Sequence, residues 1–261
     1  MCIRDRIVAG VLVAIKFIQG NKIKQTQTSA GVEENKEPEK EVIKLPTTFA
    51  GKDRPIAVMI DNNINAMPQA GLLEADLVYE IIVEGGETRM MAVLKGKDVE
   101  KIGPVRSSRH YFLDYALEND AIYVHYGWSP QAQYDISNLG VNNINGISES
   151  ESSFWRVKDK RAPHNVATST AKILSIAERK GYKTTSTKES VLKYVTDEVE
   201  LTDGQSAEKI TIPYSYSNDV EYTYDATTKR YQRYSKGVKE TDWSTGCLLY
   251  TSPSPRDGLL S

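Results

Sequence analysis

Cysteine is nearly absent from this chain of 261 residues, and the two that are present, Cys2 and Cys247, lie close to its ends. Residues 1–6 and 247–261 resemble translated transposase sequencing adapter. Like fusion scars, they are excluded from the reasoning about the fold. The remaining sequence has no cysteine, which excludes a disulfide framework and thiol chemistry. Because the two ends were not selected with the fold, we expect them to make few contacts.

An excess of basic residues is also lacking. The chain has 33 Lys and Arg against 35 Asp and Glu, a formal net charge of −2. Without the adapter-like ends the counts fall to 30 and 33, and the net charge becomes −3. Nucleic-acid-binding domains usually carry a basic excess. The charge balance therefore disfavours nucleic acid as a partner.

A hydrophobic run long enough to span a bilayer is missing as well. The unbroken apolar run covers Ile7–Ile15, whereas a spanning helix needs about 20 residues. We interpret residues 7–18 as a truncated signal sequence or membrane anchor, with an amphipathic surface helix or a buried core segment as the alternatives. Residues 19–47 are polar and contain no aromatic residue, so they read as a solvated linker. The N-terminal part thus predicts an extracytoplasmic protein that is membrane-anchored or secreted.

Apolar runs alternate with helical stretches between residues 48 and 181. Strands are predicted at residues 54–62, 77–83, 90–94 and 122–125, and their continuous apolar character indicates burial on both faces. Helices are predicted at residues 69–75, 107–118, 130–138 and 168–180. Strands that alternate with helices indicate an α/β domain with a mixed sheet.

The character of the sequence changes after Gly181. Residues 209–216, 220–224 and 230–234 alternate aromatic or branched side chains with polar ones, a pattern typical of half-solvated strands. Residues 182–246 therefore predict a second, smaller and incomplete β-rich domain.

Polar and charged side chains collect at the ends of the predicted strands, where ligands of α/β sheets bind. Arg89, Arg106 and Arg109 offer planar charged groups that match phosphate or carboxylate geometry. Arg106 and Arg109 are also expected at a helix N-terminus, whose amides favour an anion. Structural ion pairs with neighbouring carboxylates are the alternative. The predicted ligand-binding residues are Asp61, Asn62, Glu84, Thr88, Arg89, Arg106, Ser107, Arg109, His125, Arg161, His164 and Asn165.

The sequence offers few candidates for catalytic chemistry. His125 and His164 could carry protons because imidazole titrates near neutral pH, and Glu84 is the third candidate. A satisfied buried or loop histidine is the alternative for each. Ser107 and Ser129 stand where helices are predicted to start, so we expect them to be caps rather than nucleophiles. No closely spaced ligand pair of the zinc type is present, and no metal site is predicted.

Seven blocks follow one another along the predicted α/β domain: Arg54–Asn62, Glu74–Glu80, Glu84-Gly85-Gly86 with Thr88-Arg89, Gly103–Arg109, Tyr123–His125, Ser129–Ala132 and Arg161–Asn165. In order and spacing they resemble the N-terminal domain of the YerB-like bacterial envelope family. The tyrosine-rich stretch from Ile210 resembles the C-terminal domain of that family. The resemblance implies a protein of the bacterial cell envelope, but it implies no established activity.

Two classes of function are therefore expected. The first is a non-catalytic, membrane-tethered envelope protein that binds an anionic, glycan or protein ligand at the arginine-rich strand ends, without a cofactor. The second is an envelope-polymer phosphotransferase or hydrolase, because the order of these motifs is loosely similar to that of the LytR-CpsA-Psr phosphotransferases. In that case Asp61 and a second carboxylate would hold Mg²⁺ beside the arginines. The sequence leaves open whether the protein is an enzyme.

Overall fold

A mixed five-stranded sheet forms the centre of the first part of the chain. In the computed structural model, which describes residue 49 and residues 51–192 and 204–251, the sheet has the strand order β2-β3-β1-β4-β5. β1 is antiparallel to β3 and parallel to β4, and β4 is parallel to β5. The strands are β1 (Ile56–Asp61), β2 (Leu77–Ile82), β3 (Thr88–Leu94), β4 (Ile122–His125) and β5 (Asn143–Asn145).

Helices pack on both faces of this sheet, which confirms the predicted α/β class with a mixed sheet. They are α1 (Leu113–Glu118), α2 (Pro130–Asn138) and α3 (Thr170–Arg179). Successive side chains of a strand point to opposite faces, so β1 contributes Ala57 and Met59 to a core with α1 and α2. Val58 and Ile60 enter the core that contains α3. Every residue of β1 and β3 is buried, as their apolar runs predict. A short hairpin, β6 (Trp155–Arg156) and β7 (Val166–Ala167), precedes α3.

Two of the predicted helices are corrected by the structure. Residues 69–75 form no helix, and Ala70 instead makes a bridge with Gly103. Residues 107–118 become helical only at a 3-10 turn, His110–Phe112, that leads into α1. Arg106 is held extended because its N–H donates to Met59 O and its carbonyl accepts from Tyr126 N, both at 2.9 Å. The helix expected to begin near Arg106 cannot form while this segment pairs with the ends of β1 and β4.

A tight turn joins β2 to β3, as the adjacent glycines predict. Glu84–Gly86 forms a 3-10 turn in which Gly85 and Gly86 have φ angles of 73° and 77°. A Cβ at Gly86 would lie 3.0 Å from Ser215 Oγ, which donates a 2.6 Å hydrogen bond to the Gly86 carbonyl. Glycine is required here because the backbone is left-handed and closely approached.

A separate antiparallel sheet lies in the second part of the chain and confirms the predicted β-rich character. It contains β8 (Lys209–Ser215), β9 (Asn218–Asp225), β10 (Arg230–Ser235), β11 (Val238–Lys239) and β12 (Tyr250–Thr251). The order is β11-β10-β9-β8, with β12 also paired to β10. Both sheets belong to one compact unit, Thr47–Ser261, and the domain boundaries near residues 181 and 246 stay predictions.

The adapter-like C-terminal segment makes more contacts than expected. Leu249 is only 7% exposed and joins a core, whereas Leu248 and Tyr250 are 41% and 42% exposed. Main-chain pairing explains this, because Leu249 N donates to Glu240 O and its carbonyl accepts from Arg233 N. The predicted adapter-like start (1–6), anchor (7–18) and linker (19–47) lie outside the described residues. Within the described ranges, no helix has the length and apolar character needed to cross a membrane.

A buried arginine connects the two sheets. Arg233 of β10 lies 2.9 Å from Glu80 Oε2 of β2 and 2.9 Å from Glu240 Oε2, and it donates to the Tyr222 hydroxyl at 2.8 Å. Arg233 and Glu240 are each 5% exposed. Burial disfavours the charged form of Arg233, but the two carboxylates outweigh that effect and raise its pKa. Burial also raises the pKa of Glu240.

Arg233→Ala should lower the free energy of unfolding by about 3–5 kcal/mol, because it leaves two buried carboxylates without their cation. Urea denaturation of the 261-residue chain measures the change. Lys239→Ala, at an exposed position of the same sheet, is the control and should change stability by no more than about 0.5 kcal/mol. Equal effects of the two substitutions would contradict the assigned role of Arg233.

Candidate functional site: an arginine-rich face at the strand ends

Three arginines and two carboxylates come together where β1 ends and β3 begins. We call Arg89, Arg106, Arg109, Asp61 and Glu84 the arginine face. Asp61 ends β1 and is paired directly with Arg89 of β3 in the sheet register. Arg106 and Arg109 lie on the extended segment beside the end of β1. The sheet and its neighbouring segment therefore fix the positions of all three arginines.

Each outer arginine contacts its own carboxylate. Arg106 Nε lies 3.2 Å from Asp61 Oδ2. Arg109 donates twice to Glu84, at 2.7 Å from Nε and 3.0 Å from its second nitrogen. These hydrogen bonds from Arg109 lower the pKa of Glu84, although the Glu84 side chain is 67% exposed. The Arg109 pair is thus well oriented but open to solvent.

Arg89 is the buried member of the arginine face. It is 7% exposed and donates to the Ser107 carbonyl. Burial first, and then the charge of Arg109, lowers its pKa to about 10, while Asp61 acts in the opposite direction. Arg89 remains a cation at neutral pH. Three cations therefore face two carboxylates, and the face carries a net positive charge.

His164 joins the arginine face through Asp61. Its Nδ1 lies 2.7 Å from Asp61 Oδ2, the same oxygen that Arg106 contacts. Asp61 is 4% exposed, and its other oxygen accepts a hydrogen bond from Asn63 N at 3.1 Å. The loop that carries His164 is closed by a 2.9 Å hydrogen bond from His164 N to Arg161 O. One buried carboxylate thus holds both a strand-end arginine and a loop histidine.

Asn62 and Thr88 belong to a neighbouring buried network. Asn62 donates to Thr88 Oγ1 at 2.7 Å and to Glu80 Oε1 at 3.0 Å, and accepts from Gln69 at 2.9 Å. Asn218 of β9 donates to Thr88 Oγ1 at 3.2 Å. Asn62 and Thr88 are 1% and 2% exposed, so in this structure they join the two sheets and are closed to a ligand.

His125 lies apart from the arginine face, inside the core. Its ring sits 5.3 Å from the rings of Tyr123 and Trp128. Nδ1 is 2.8 Å from Gly127 O, and Nε2 is 3.2 Å from Asn143 Oδ1. Burial lowers its pKa to about 4. The imidazole is therefore neutral at physiological pH and has protein partners on both nitrogens.

The remaining predicted residues also have defined positions. The Ser107 hydroxyl donates to Tyr126 O at 3.1 Å instead of capping a helix, whereas Ser129 caps α2 as expected, accepting from Ala132 N. Asn165 is 7% exposed and accepts from Arg156 at 2.7 Å. Arg161 is exposed and lines a cleft next to His164.

That cleft was not anticipated from the sequence. It measures about 680 Å³ and is bounded by the loops at residues 65–68 and 159–164 and by Trp243. Lys160, Asp159, Asn65 and Trp243 line it beside the two predicted residues. No motif marks these positions, since they come from three distant segments that only the fold brings together.

Metal-ligating side chains do not converge in the described part of the chain. No group of three or more His, Cys, Asp or Glu residues there could hold a metal ion. The oxygens of Asp61 are contacted by Arg106, His164 and Asn63 N, so they face one cation and two hydrogen-bonding nitrogens of the protein.

The fold and the site define an α/β domain with a positively charged face at its strand ends. Residues 45–183 match the family described as "Protein of unknown function (DUF3048) N-terminal domain", and the chain belongs to this family. It is 37% identical over 193 residues to a Bacillus subtilis (strain 168) protein named "Putative lipoprotein YerB". The match covers 74% of this chain and 58% of that relative.

The crystal structure of YerB from Bacillus subtilis is similar as well. It matches with a TM-score of 0.69 and 37% identity, over 76% of this chain and 67% of the solved one. The resemblance seen in the sequence motifs is confirmed. The chain spans 58% of the curated relative's length.

His125 should make stability depend on pH. Its pKa is lowered from 6.5 to about 4 on folding, so the unfolded chain binds the proton first. Stability is complete above pH 6.5 and falls as pH drops toward 4, by about 1.4 kcal/mol per unit. Relative to His125→Gln, the parent chain should therefore lose about 2 kcal/mol between pH 7 and 5 in urea denaturation. Parallel pH curves for the two chains would contradict this assignment.

Proposed function

We propose that this protein is an extracytoplasmic, membrane-tethered protein of the bacterial envelope that binds an anionic ligand at the arginine face. The name of the Bacillus subtilis relative, "Putative lipoprotein YerB", and the apolar run at Ile7–Ile15 support the location. The observation that carries the binding proposal is the convergence of three arginines on two carboxylates at a strand-end edge.

Arg106 is the arginine best placed to meet a ligand. Its Nε lies 3.2 Å from Asp61 Oδ2, and its two terminal nitrogens make no hydrogen bond to any described residue. Its side chain is 27% exposed, so these nitrogens can be reached from solvent. A guanidinium edge with two free N–H groups fits a phosphate or carboxylate in a bidentate manner.

Arg89 supplies positive charge that the protein does not neutralise directly. Arg89 donates its hydrogen bond to a carbonyl, Ser107 O, and burial, followed by the charges of Arg109 and Arg106, lowers its pKa. Burying a cation without a contacting carboxylate is unfavourable. A bound anion would offset that cost, which gives the face a reason to attract one.

Glu84 accepts two hydrogen bonds from the Arg109 guanidinium, as the carboxylate of a ligand would. Its side chain is 67% exposed, and exposed ion pairs contribute only about 0–1 kcal/mol. An incoming anion can therefore displace Glu84 from the Arg109 guanidinium at little cost in free energy. No observation among the described contacts favours the phosphotransferase alternative, because Asp61 is committed to Arg106 and His164.

Arg106→Gln should weaken the binding of inorganic phosphate by about 10- to 100-fold, the equivalent of one charge-assisted contact. Isothermal titration calorimetry on the 261-residue chain measures the affinity. Arg179→Gln is the matched control, since Arg179 also pairs with a carboxylate, Glu149, but on α3. Its affinity for phosphate should equal that of the parent. Unchanged phosphate affinity in Arg106→Gln, together with lost thermal stability, would assign the arginines a purely structural role.

Glu84→Gln should change phosphate affinity in the opposite direction. The substitution removes the Glu84 carboxylate that competes with phosphate for Arg109. The affinity for phosphate should therefore rise about 3- to 10-fold, in line with the loss of an exposed ion pair. Glu87→Gln is the control, because Glu87 is in the same turn but pairs with Lys236 at 3.2 Å. If both substitutions raise affinity equally, the gain is a general charge effect and the competition at Arg109 is ruled out.

A further inference from the structure

We infer that the cleft next to the arginine face holds a sugar unit, so that the ligand of this protein is an anionic saccharide. This inference rests on the proposed function and names its ligand class. The cleft, of about 680 Å³, has the size of a small-molecule site.

The walls of the cleft combine apolar and polar groups. Met67, Pro68 and Pro163 supply apolar surface, and Trp243 supplies an aromatic ring. Asn65 adds an amide that can both donate and accept hydrogen bonds. Sugar rings have apolar faces and hydroxyl edges, so a wall of this mixed character matches them better than it matches a bare inorganic anion.

Trp243 is held in place by charged neighbours. Lys101 Nζ and Lys160 Nζ lie 4.5 and 4.4 Å from the centre of its ring system. Its indole N–H donates to Asp159 Oδ2 at 2.8 Å. Lys160 also donates to the carbonyls of Ala66 and Met67, at 2.9 Å each. The indole and Lys160 thus form a rigid wall between the two loops.

Two side chains at the rim are available to a ligand. Arg161 is exposed, and its guanidinium makes no hydrogen bond or ion pair to any described residue. Asp159 uses one oxygen for Trp243, and its other oxygen has no hydrogen-bond donor within the described ranges. A carboxylate repels a bare anion but accepts hydrogen bonds from hydroxyl groups. Asp159 and Arg161 together therefore select a ligand that has both hydroxyls and negative charge.

The cleft and the arginine face meet at His164. This residue lines the cleft and contacts Asp61 Oδ2, the oxygen that Arg106 also contacts. His164 therefore borders both the cleft and the arginine face, although Arg106 itself does not line the cleft. One ligand can place its ring in the cleft and its acidic group, or that of the adjoining unit, against the arginine.

The inference is tested with a short oligogalacturonate, its methyl ester and inorganic phosphate. The ester keeps the sugar and removes the charge, whereas phosphate keeps the charge and removes the sugar. Affinities are measured by calorimetry on the 261-residue chain, and the indole N–H signal of Trp243, assigned with Trp243→Phe, is followed by NMR. Arg161→Gln is compared with Lys158→Gln, an exposed cation of the same loop that does not line the cleft.

We expect oligogalacturonate to bind at least about 10-fold more tightly than either phosphate or the ester, since it uses both regions. Arg161→Gln should weaken oligogalacturonate binding about 3- to 10-fold and leave phosphate binding unchanged, whereas Lys158→Gln should change neither. The Trp243 signal should shift with oligogalacturonate and not with phosphate.

Two results would overturn the saccharide assignment and leave anion binding intact. The first is phosphate binding that depends on Arg106, with oligogalacturonate no tighter and the Trp243 signal unmoved. The second is an oligoaspartate peptide that binds as tightly as oligogalacturonate, which would replace the saccharide with an acidic peptide. Binding of none of these probes would refute both the inference and the proposed function.

Discussion

The carboxylate of Asp61 is the interaction on which the arrangement of the site depends. One of its oxygens contacts both Arg106 and His164, so a single buried atom holds together the central strand, the extended segment after Pro104 and the loop before β7. Because Asp61 is 4% exposed, water competes poorly for it. Substitution of this residue would therefore remove the contact that orients both the Arg106 guanidinium and the His164 ring.

The second sheet shapes the site although it does not contribute to the arginine face. Its charged contacts to Glu80 and its hydrogen bond to Thr88 cover one face of β2 and β3, which leaves the other face for Asp61 and Arg89. Trp243, which follows β11, reaches back to the loop at residues 159–164. The polar residues at the strand ends thus divide into two groups by the alternation of side chains along a strand. Asn62 and Thr88 serve sheet packing, and Asp61 and Arg89 lie on the arginine face.

Sequence periodicity predicted the elements that are decided locally. The buried strands β1 and β3 and the helix α2, with its Ser129 cap, follow from apolar runs and capping chemistry. Residues 69–75 and 107–109 were predicted incorrectly as helical because long-range main-chain pairing of these residues or their neighbours, with Gly103 and with Met59, outweighs their local preference. The convergence of the arginines could be predicted from strand ends, whereas the burial of His125 could not, since its neighbours Trp128 and Asn143 come from separate loops. The cleft was missed for the same reason, because Trp243 lies some eighty positions from the loop it contacts.

The turn at Glu84–Gly86 belongs to both halves of the molecule. Its Gly86 carbonyl accepts from Ser215 in β8, and two positions earlier Glu84 holds the Arg109 fork. The three residues of this turn therefore connect the second sheet to the arginine face. Thermodynamic linkage then acts in both directions. If an anion that displaces Glu84 also weakens the hydrogen bond between Ser215 and Gly86, a change that strengthens this hydrogen bond must equally favour the Glu84–Arg109 pair and lower the affinity for that anion.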